Sequence, residues 1–439
     1  MSPSAHLDII VVGGGIAGLT AALALRREGH TVTVVESSAW LREAGAAVAV
    51  PPNATRTLMK LGIHLERDVK AAPFKNSLEY HFTTDKPPKF GEKGDGHQIP
   101  WARRAEDFPG LFYLAHRVDL HDALKTKCVS SEGPGEPVNV LLSSRVVAWD
   151  PAGSITLQNG RQMYADLVIA ADGIHSLAHE AILGHRVPAT PSGITAIRFI
   201  LKTETLLRDP VTAEIMDDGD GCFAFYFDAH RKTYLLRYPC HNNELQNFGA
   251  YGVSDDGDAL PTLTGQQLSR DDLLKRLSAL PLVFGTIGSK AEDRVWDWKI
   301  GDREPIPTYH RGRLVLVGDA AHPMWPRQGQ GAAQAIEDGA TLGLLMSGLQ
   351  HKSDVTNRLV LNDELRVRRT SIVQLLSRAR MSAVEDSVTL PAEIVRSFSP
   401  DPAPVSQAQI AKFLWAYDCI EHTQSLLDRY IMVGHSGPT

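Results

Sequence analysis

Short apolar runs that stop at glycine or an acidic residue punctuate the chain from its start. The first, Ile9-Ile10-Val11-Val12, is β-branched and too short for a helix, so it predicts a buried strand. The alanine- and leucine-rich stretch Leu19 to Arg27 predicts a helix. Thr31 to Val35, stopping at Glu36, predicts a second strand. Two more buried strands are expected at Ala165 to Ala171 and Arg313 to Val317. Pro52-Asn53 leads into a helix from Ala54 to Leu61, and the segment Gln330 to Gly339 opens a long one. Val138 to Thr156 alternates like a hairpin, with Asn159-Gly160 as a turn.

From Gly193 to Val295 the texture becomes strand-rich. Runs at Ile194 to Leu201, Cys222 to Asp228 and Thr233 to Pro239 are joined by the acidic, glycine-rich loop Asp217 to Gly221, and a helix follows from Arg270 to Leu280. Pro87 to Arg104 reads as a polar excursion, Ser397 to Val405 as a linker, and Ala408 to Tyr430 as a last helical pattern. Strands alternating with helices make a parallel sheet. The fold class is therefore α/β: a Rossmann-type domain with an inserted mixed β-sheet domain and C-terminal helices. Residues 1–72, 105–192 and 296–384 are assigned to the first, 73–104 and 193–295 to the insert, and 385–439 to the C-terminal segment.

The first strand runs into Gly13-x-Gly15-x-x-Gly18 and the second ends at Glu36, a dinucleotide fingerprint. Gly13 permits the tight turn, Gly15 a close phosphate, and Gly18 close packing of helix on strand. The helix start at Ile16 and Ala17 offers unpaired N–H groups and about half a positive charge. Small residues around Ala47 allow backbone to approach a ligand. Two later strands end at Asp172-Gly173 and Gly318-Asp319. Aspartates there suit polyol hydroxyls, and the N–H groups of Gly331, Ala332 and Ala333 suit an anionic ring edge.

Net charge is −6 with lysine and arginine scattered, which argues against nucleic acid as a partner. Cys128, Cys222, Cys240 and Cys419 are far apart with no Cys-x-x-Cys pair, so no zinc ribbon or redox disulfide is indicated and no metal is expected. A reducing, cytoplasmic compartment follows. No secretory signal is expected ahead of Leu7, and no apolar run approaches the ~18 residues of a membrane span.

The set formed by the fingerprint with Glu36, Arg117-Val118-Asp119-Leu120, Ala171-Asp172-Gly173-Ile174-His175-Ser176 and Gly318-Asp319-Ala320-Ala321-His322-Pro323-Met324 resembles the single-component FAD-dependent aromatic hydroxylases. Para-hydroxybenzoate hydroxylase and salicylate hydroxylase typify that family. The resemblance implies a glutathione-reductase-like FAD fold, with Glu36 on the adenosine ribose, Arg117 on the phosphates or ribityl chain, Asp319 on the ribityl chain and Ala332 beside the isoalloxazine. It implies Asp172 near both FAD and a transient NADH or NADPH. It implies O2 activation as a flavin C4a-hydroperoxide and insertion of one oxygen atom into an aromatic or polycyclic substrate, in a monomer or homodimer. The family often has an arginine where His179 stands.

Such chemistry needs water excluded and a phenol polarised. Arg198, in an otherwise apolar strand, is a candidate for a phenolate or carboxylate; Tyr226 and Tyr238, in neighbouring strands, are candidates for a phenolic oxygen. Trp325 and Pro326 are expected in the substrate pocket, and His322 is expected to hold its loop. A FAD oxidase, dehydrogenase or epoxidase on the same fold is the alternative.

Overall fold

A computed structural model describes residues 5–39, 46–81, 97–99, 111–227, 233–253, 266–278, 280, 282–291, 295–379 and 389–432. Most of the polar excursion Pro87 to Arg104 lies outside the described residues; within it, His97–Ile99 is a strand.

The apolar runs form a six-stranded sheet in the order His310–Arg311, Leu314–Leu316, Leu167–Ala170, Asp8–Val12, Thr31–Val35, Asn139–Leu141. All neighbours are parallel except the first pair. Register explains why the polar corners meet. Val12 lies opposite both Ala170 and Val35, and Ala170 lies opposite Leu316. The turns at Gly13, Glu36, Asp172 and Gly318 therefore leave one edge of the sheet side by side, where ligands of open α/β sheets sit. Helices Ile16–Arg27 and Gly331–Leu345 start at this edge and pack closely along their length, because a Cβ on Gly339 would lie 2.6 Å from the Ala21 nitrogen and one on Gly343 2.5 Å from the Ala24 Cβ.

The inserted domain is an eight-stranded mixed sheet in the order Gln266–Leu268, Val295–Asp302, Thr190–Lys202, Leu245–Val253, Thr233–Cys240, Cys222–Phe227, Asn76–His81, His97–Ile99. Alternation sorts its side chains. Ile197, Phe199, Tyr226, Leu235, Phe248 and Ala250 bury against Leu273, Leu277, Phe284 and Ile287 of two covering helices. Arg198, Phe223, Phe225, Tyr234 and Tyr238 face the other way, into a cavity. Strand Val295–Asp302 pairs with Thr190–Lys202, so Trp296 and Trp298 sit in this sheet, beyond the span read for it from sequence.

Two further expectations need revision. Asn139–Leu141 joins the parallel sheet, while Val146–Asp150, Ser154–Leu157 and Gln162–Tyr164 form their own antiparallel sheet around the Asn159-Gly160 turn. The last helical pattern is two helices, Gln407–Trp415 and Cys419–Met432. Helix Val355–Arg378 has no counterpart in the sequence reading; its arginines 358, 366 and 369 are buried and interrupt the apolar stripe a helix normally shows. Among the described residues, no helix is long and apolar enough to cross a membrane.

Candidate functional site

A cavity of about 850 Å³ lies between the two sheets, within the usual range for small-molecule sites. From the Rossmann side it is lined by Gly15, Ile16, Ala17, Ala47, Arg117, Asp319, Gly331 and Ala332, and from the inserted sheet by Arg198, Tyr238 and their aromatic neighbours. Trp325 and Pro326 line it as well.

The fingerprint glycines divide by role. Gly13 has φ +105° and a Cβ there would meet the Ala171 carbonyl oxygen at 2.4 Å; on Gly18 it would meet the Gly13 oxygen at 2.0 Å. Both are packing glycines and neither lines the cavity, whereas Gly15 does. The first helical bond runs from the Leu19 N–H to the Gly15 carbonyl at 2.9 Å, so the N–H groups of Ile16, Ala17 and Gly18 have no carbonyl within the helix. The Glu36 carboxylate accepts from the Gly14 N–H at 2.8 Å and the Ser38 N–H at 2.7 Å, which ties the glycine loop to the end of the second strand. Glu36 does not itself line the cavity.

At the third corner, Gly318 has φ +59° and its Cβ would lie 2.7 Å from the Ala17 Cβ. This turn presents an exposed Asp319 carboxylate to the cavity. The Gly318 N–H donates to Asp338 at 2.8 Å, and His322 Nε2 lies 2.6 Å from the same carboxylate. His322 thus holds the loop, as the sequence suggested. Although burial disfavours its charge, Asp338 stays well below the usual carboxylate range because His322 and Arg366 face it.

Asp172 behaves differently. Burial pushes its carboxyl up to about 6, and Ala171 and Gly173 line the cavity where Asp172 itself does not. Arg303, absent from the sequence candidates, donates to the Ile174 and Ala320 carbonyls at 2.9 Å each and so clamps the second and third corners together. His179 is buried and its pKa is lowered by burial and then by Arg303. A neutral interior imidazole is no phosphate ligand, so a nicotinamide cofactor finds no cation at this position.

On the inserted sheet, Arg198 is half-buried and donates to the Tyr251 hydroxyl at 3.3 Å. No carboxylate lies within ion-pair distance of it among the described residues. Tyr234 and Tyr251 stack at 4.9 Å, and Phe223 and Tyr238 at 4.6 Å, giving the cavity an aromatic wall. Burial raises the Tyr238 hydroxyl above its ordinary range, so it stays a neutral donor. Tyr226 is the exception among the catalytic candidates. It stacks on Tyr80 at 5.0 Å and meets Phe284 edge-on in the core on the opposite face of the sheet, away from the cavity. One residue of strand parity separates it from Phe225 and Phe227, which do line the cavity.

Sequence reasoning also passed over Phe112, Gln407, Leu414 and Trp415 in the wall. The period-two phenylalanines at 223, 225 and 227 could have marked a lined face; nothing local marks Trp415. Among the described residues one group of metal-donor types converges, His116, Asp119 and His241. The carboxylate is already engaged, with His241 Nδ1 2.6 Å from Asp119 Oδ2.

Open helix N–H groups, an exposed aspartate, and room at Gly331, where a Cβ would meet only Met324 at 3.9 Å, fit an extended dinucleotide with a polyol chain. Comparison with known proteins agrees. Two family models, each described as an FAD binding domain, match residues 154–351 and 8–56. The FAD-dependent monooxygenase cfoG of Aspergillus candidus is 34% identical over 434 residues, covering 98% of this chain and 97% of that protein. Hispidin-3-hydroxylase of Neonothopanus nambi is 29% identical over 383 residues, covering 84% and 86%. The crystal structure of CtdE in complex with FAD and a substrate has the same fold, with a TM-score of 0.77 at 22% identity over 97% of this chain and 99% of that one.

Proposed function

Because the chain belongs to the FAD-dependent monooxygenases, we propose that it hydroxylates an aromatic or polycyclic small molecule whose phenolic or other acidic group sits against Arg198. FAD, when bound, supplies the redox chemistry that joins NAD(P)H oxidation to O2 activation. The chain's own residues do the rest. The N–H groups of Ile16 and Ala17, with Arg117, receive the phosphates; Asp319 accepts from ribityl hydroxyls; Gly331 and Ala332 leave space and N–H donors for the ring.

Arg198 carries the reading. A half-buried guanidinium facing an aromatic-walled cavity, with a tyrosine hydroxyl as its one hydrogen-bond partner among the described residues, calls for an anion. Its charge favours a phenolate over a phenol and so raises the nucleophilicity of the ring. Tyr238, held as a neutral donor, is placed to hydrogen-bond a substrate oxygen. The aromatic wall excludes water from the reacting atoms. Relatives named as hydroxylases support ring hydroxylation over oxidase or epoxidase chemistry. Four buried free thiols support a reducing compartment such as the cytoplasm.

The test is a panel of phenols and aromatic acids screened for acceleration of NAD(P)H oxidation in air. Acceleration by phenols and acids over their neutral methyl ethers and esters supports the reading. Equal acceleration by the neutral analogues, or none by any compound, overturns it.

A further inference from the structure

The C-terminal segment is part of the cavity, and the way it is anchored says something about the substrate. Helix Gln407–Trp415 contributes Gln407, Leu414 and Trp415 to the lining. Trp415 is 5% exposed and meets the Phe112 ring edge-on at 5.6 Å, and Phe112 packs on Phe74 at 4.9 Å. These rings share one core with Phe223 and Tyr238 of the inserted sheet.

The end of this helix is held by two arginines. A helix C-terminus leaves carbonyls without intrahelical donors. Arg369 donates to the Phe413 and Leu414 carbonyls, both at 3.0 Å, and Arg56 donates to the Trp415 and Tyr417 carbonyls at 2.7 and 2.8 Å. Arg369 also makes a two-pronged pair with the buried Glu337, at 2.7 Å through Nε and Nη2. Glu337 belongs to helix Gly331–Leu345, whose first residues line the cofactor side of the same cavity. Trp415 is thus fixed to the frame that holds the cofactor, and is a wall, not a loose flap.

Arg198 lies across the inserted sheet from Phe223, which packs against the same core as Trp415. From its strand to that of Phe223 there are three interstrand steps, about 14 Å in all. That is more than a single phenol ring spans, and the intervening face is aromatic. Resting on the Arg198 reading above, we infer that Trp415 is a specificity-determining residue, and that the substrate is an elongated, multi-ring phenol or aromatic acid. Its acidic end meets Arg198 and its apolar end meets Trp415, Leu414 and Phe112.

The experiment measures dissociation constants from perturbation of the bound-flavin absorbance, using 4-hydroxybenzoate and 4'-hydroxybiphenyl-4-carboxylate. The parent enzyme is expected to prefer the two-ring acid by about tenfold or more. Trp415→Ala is expected to cut that preference to about two- to threefold, and Trp415→Phe to keep most of it. Unchanged FAD affinity of both apoproteins establishes that the variants fold. No preference in the parent, or the same preference in Trp415→Ala, overturns the inference. Arg198→Met separates the two readings: it weakens both acids alike if the anion reading holds, and undiminished binding of both overturns that reading while the Trp415 ratio stands. A parent that binds neither acid overturns both.

Discussion

Replacing Gly18 and, separately, Gly331 with alanine distinguishes a glycine needed for packing from one that leaves room for a ligand. A Cβ on Gly18 would lie 2.0 Å from the Gly13 oxygen and 3.2 Å from the Val11 side chain. Reaching ordinary contact means the helix start must retreat by about 1.4 Å, against backbone that has nowhere to move. Such overpacking costs about 1–3 kcal/mol. For a protein of this size that lowers the apoprotein Tm by roughly 1–6 °C. The same retreat carries the Ile16 and Ala17 N–H groups away from the cavity, so FAD affinity falls as well. Gly331 is the opposite case. Its Cβ would meet only Met324 at 3.9 Å, so Gly331→Ala leaves the apoprotein Tm within about 1 °C. The new methyl group points into space the cofactor needs, and FAD affinity drops about tenfold, which removes about 1.4 kcal/mol of ligand-induced stabilisation. Apoprotein melts and titration of apoprotein with FAD, followed by flavin fluorescence, read both effects. A Gly331→Ala apoprotein that melts early, or that binds FAD as tightly as the parent, refutes the placing of the cofactor. A neutral Gly18→Ala refutes the packing argument.

Other expectations are simpler. Arg198→Met loses one charge-assisted hydrogen bond of about 1.5–3 kcal/mol, so kcat/KM falls roughly 10- to 150-fold while FAD affinity is kept; Tyr226→Phe, on the far face of the sheet, keeps near-parent kcat/KM, and a loss as large as that of Arg198→Met contradicts its placement. Asp172 has a folded pKa raised to about 6 by burial, above its ordinary 3.8. The stability tied to its protonated form is fully present below pH 3.8 and lost as pH rises through 6. Asp172→Asn should therefore raise apoprotein Tm above pH 6, with the gain shrinking toward pH 4; a gain that grows on acidification contradicts the sign.

The Rossmann half was legible because its signals are local. A strand, three glycines and an acid at fixed spacing are short-range demands of backbone geometry, and the register of Asp8–Val12 with its neighbours then brings the other corners alongside. The inserted sheet was legible as strands, but its facing was not. Arg198 and Tyr226 sit in equally apolar runs, and only pairing with Leu245–Val253 and Thr233–Cys240 decides that one faces the cavity and the other the opposite core. Arg303, Glu337, Arg369 and Trp415 were invisible for a different reason: each acts through partners dozens of residues away. Buried arginines also broke the apolar periodicity that would have announced helix Val355–Arg378.

The central claim is that one cavity joins the FAD cradle to an anion-seeking, aromatic sheet face. Turnover of an accepted phenol under oxygen-18 gas tests it most directly, with the product read by mass. The account predicts one heavy oxygen atom per product molecule in the parent, and a shift toward unlabelled substrate and free peroxide in Arg198→Met. Product oxygen drawn from water, or as much labelled product with no more free peroxide in the variant than in the parent, would contradict it.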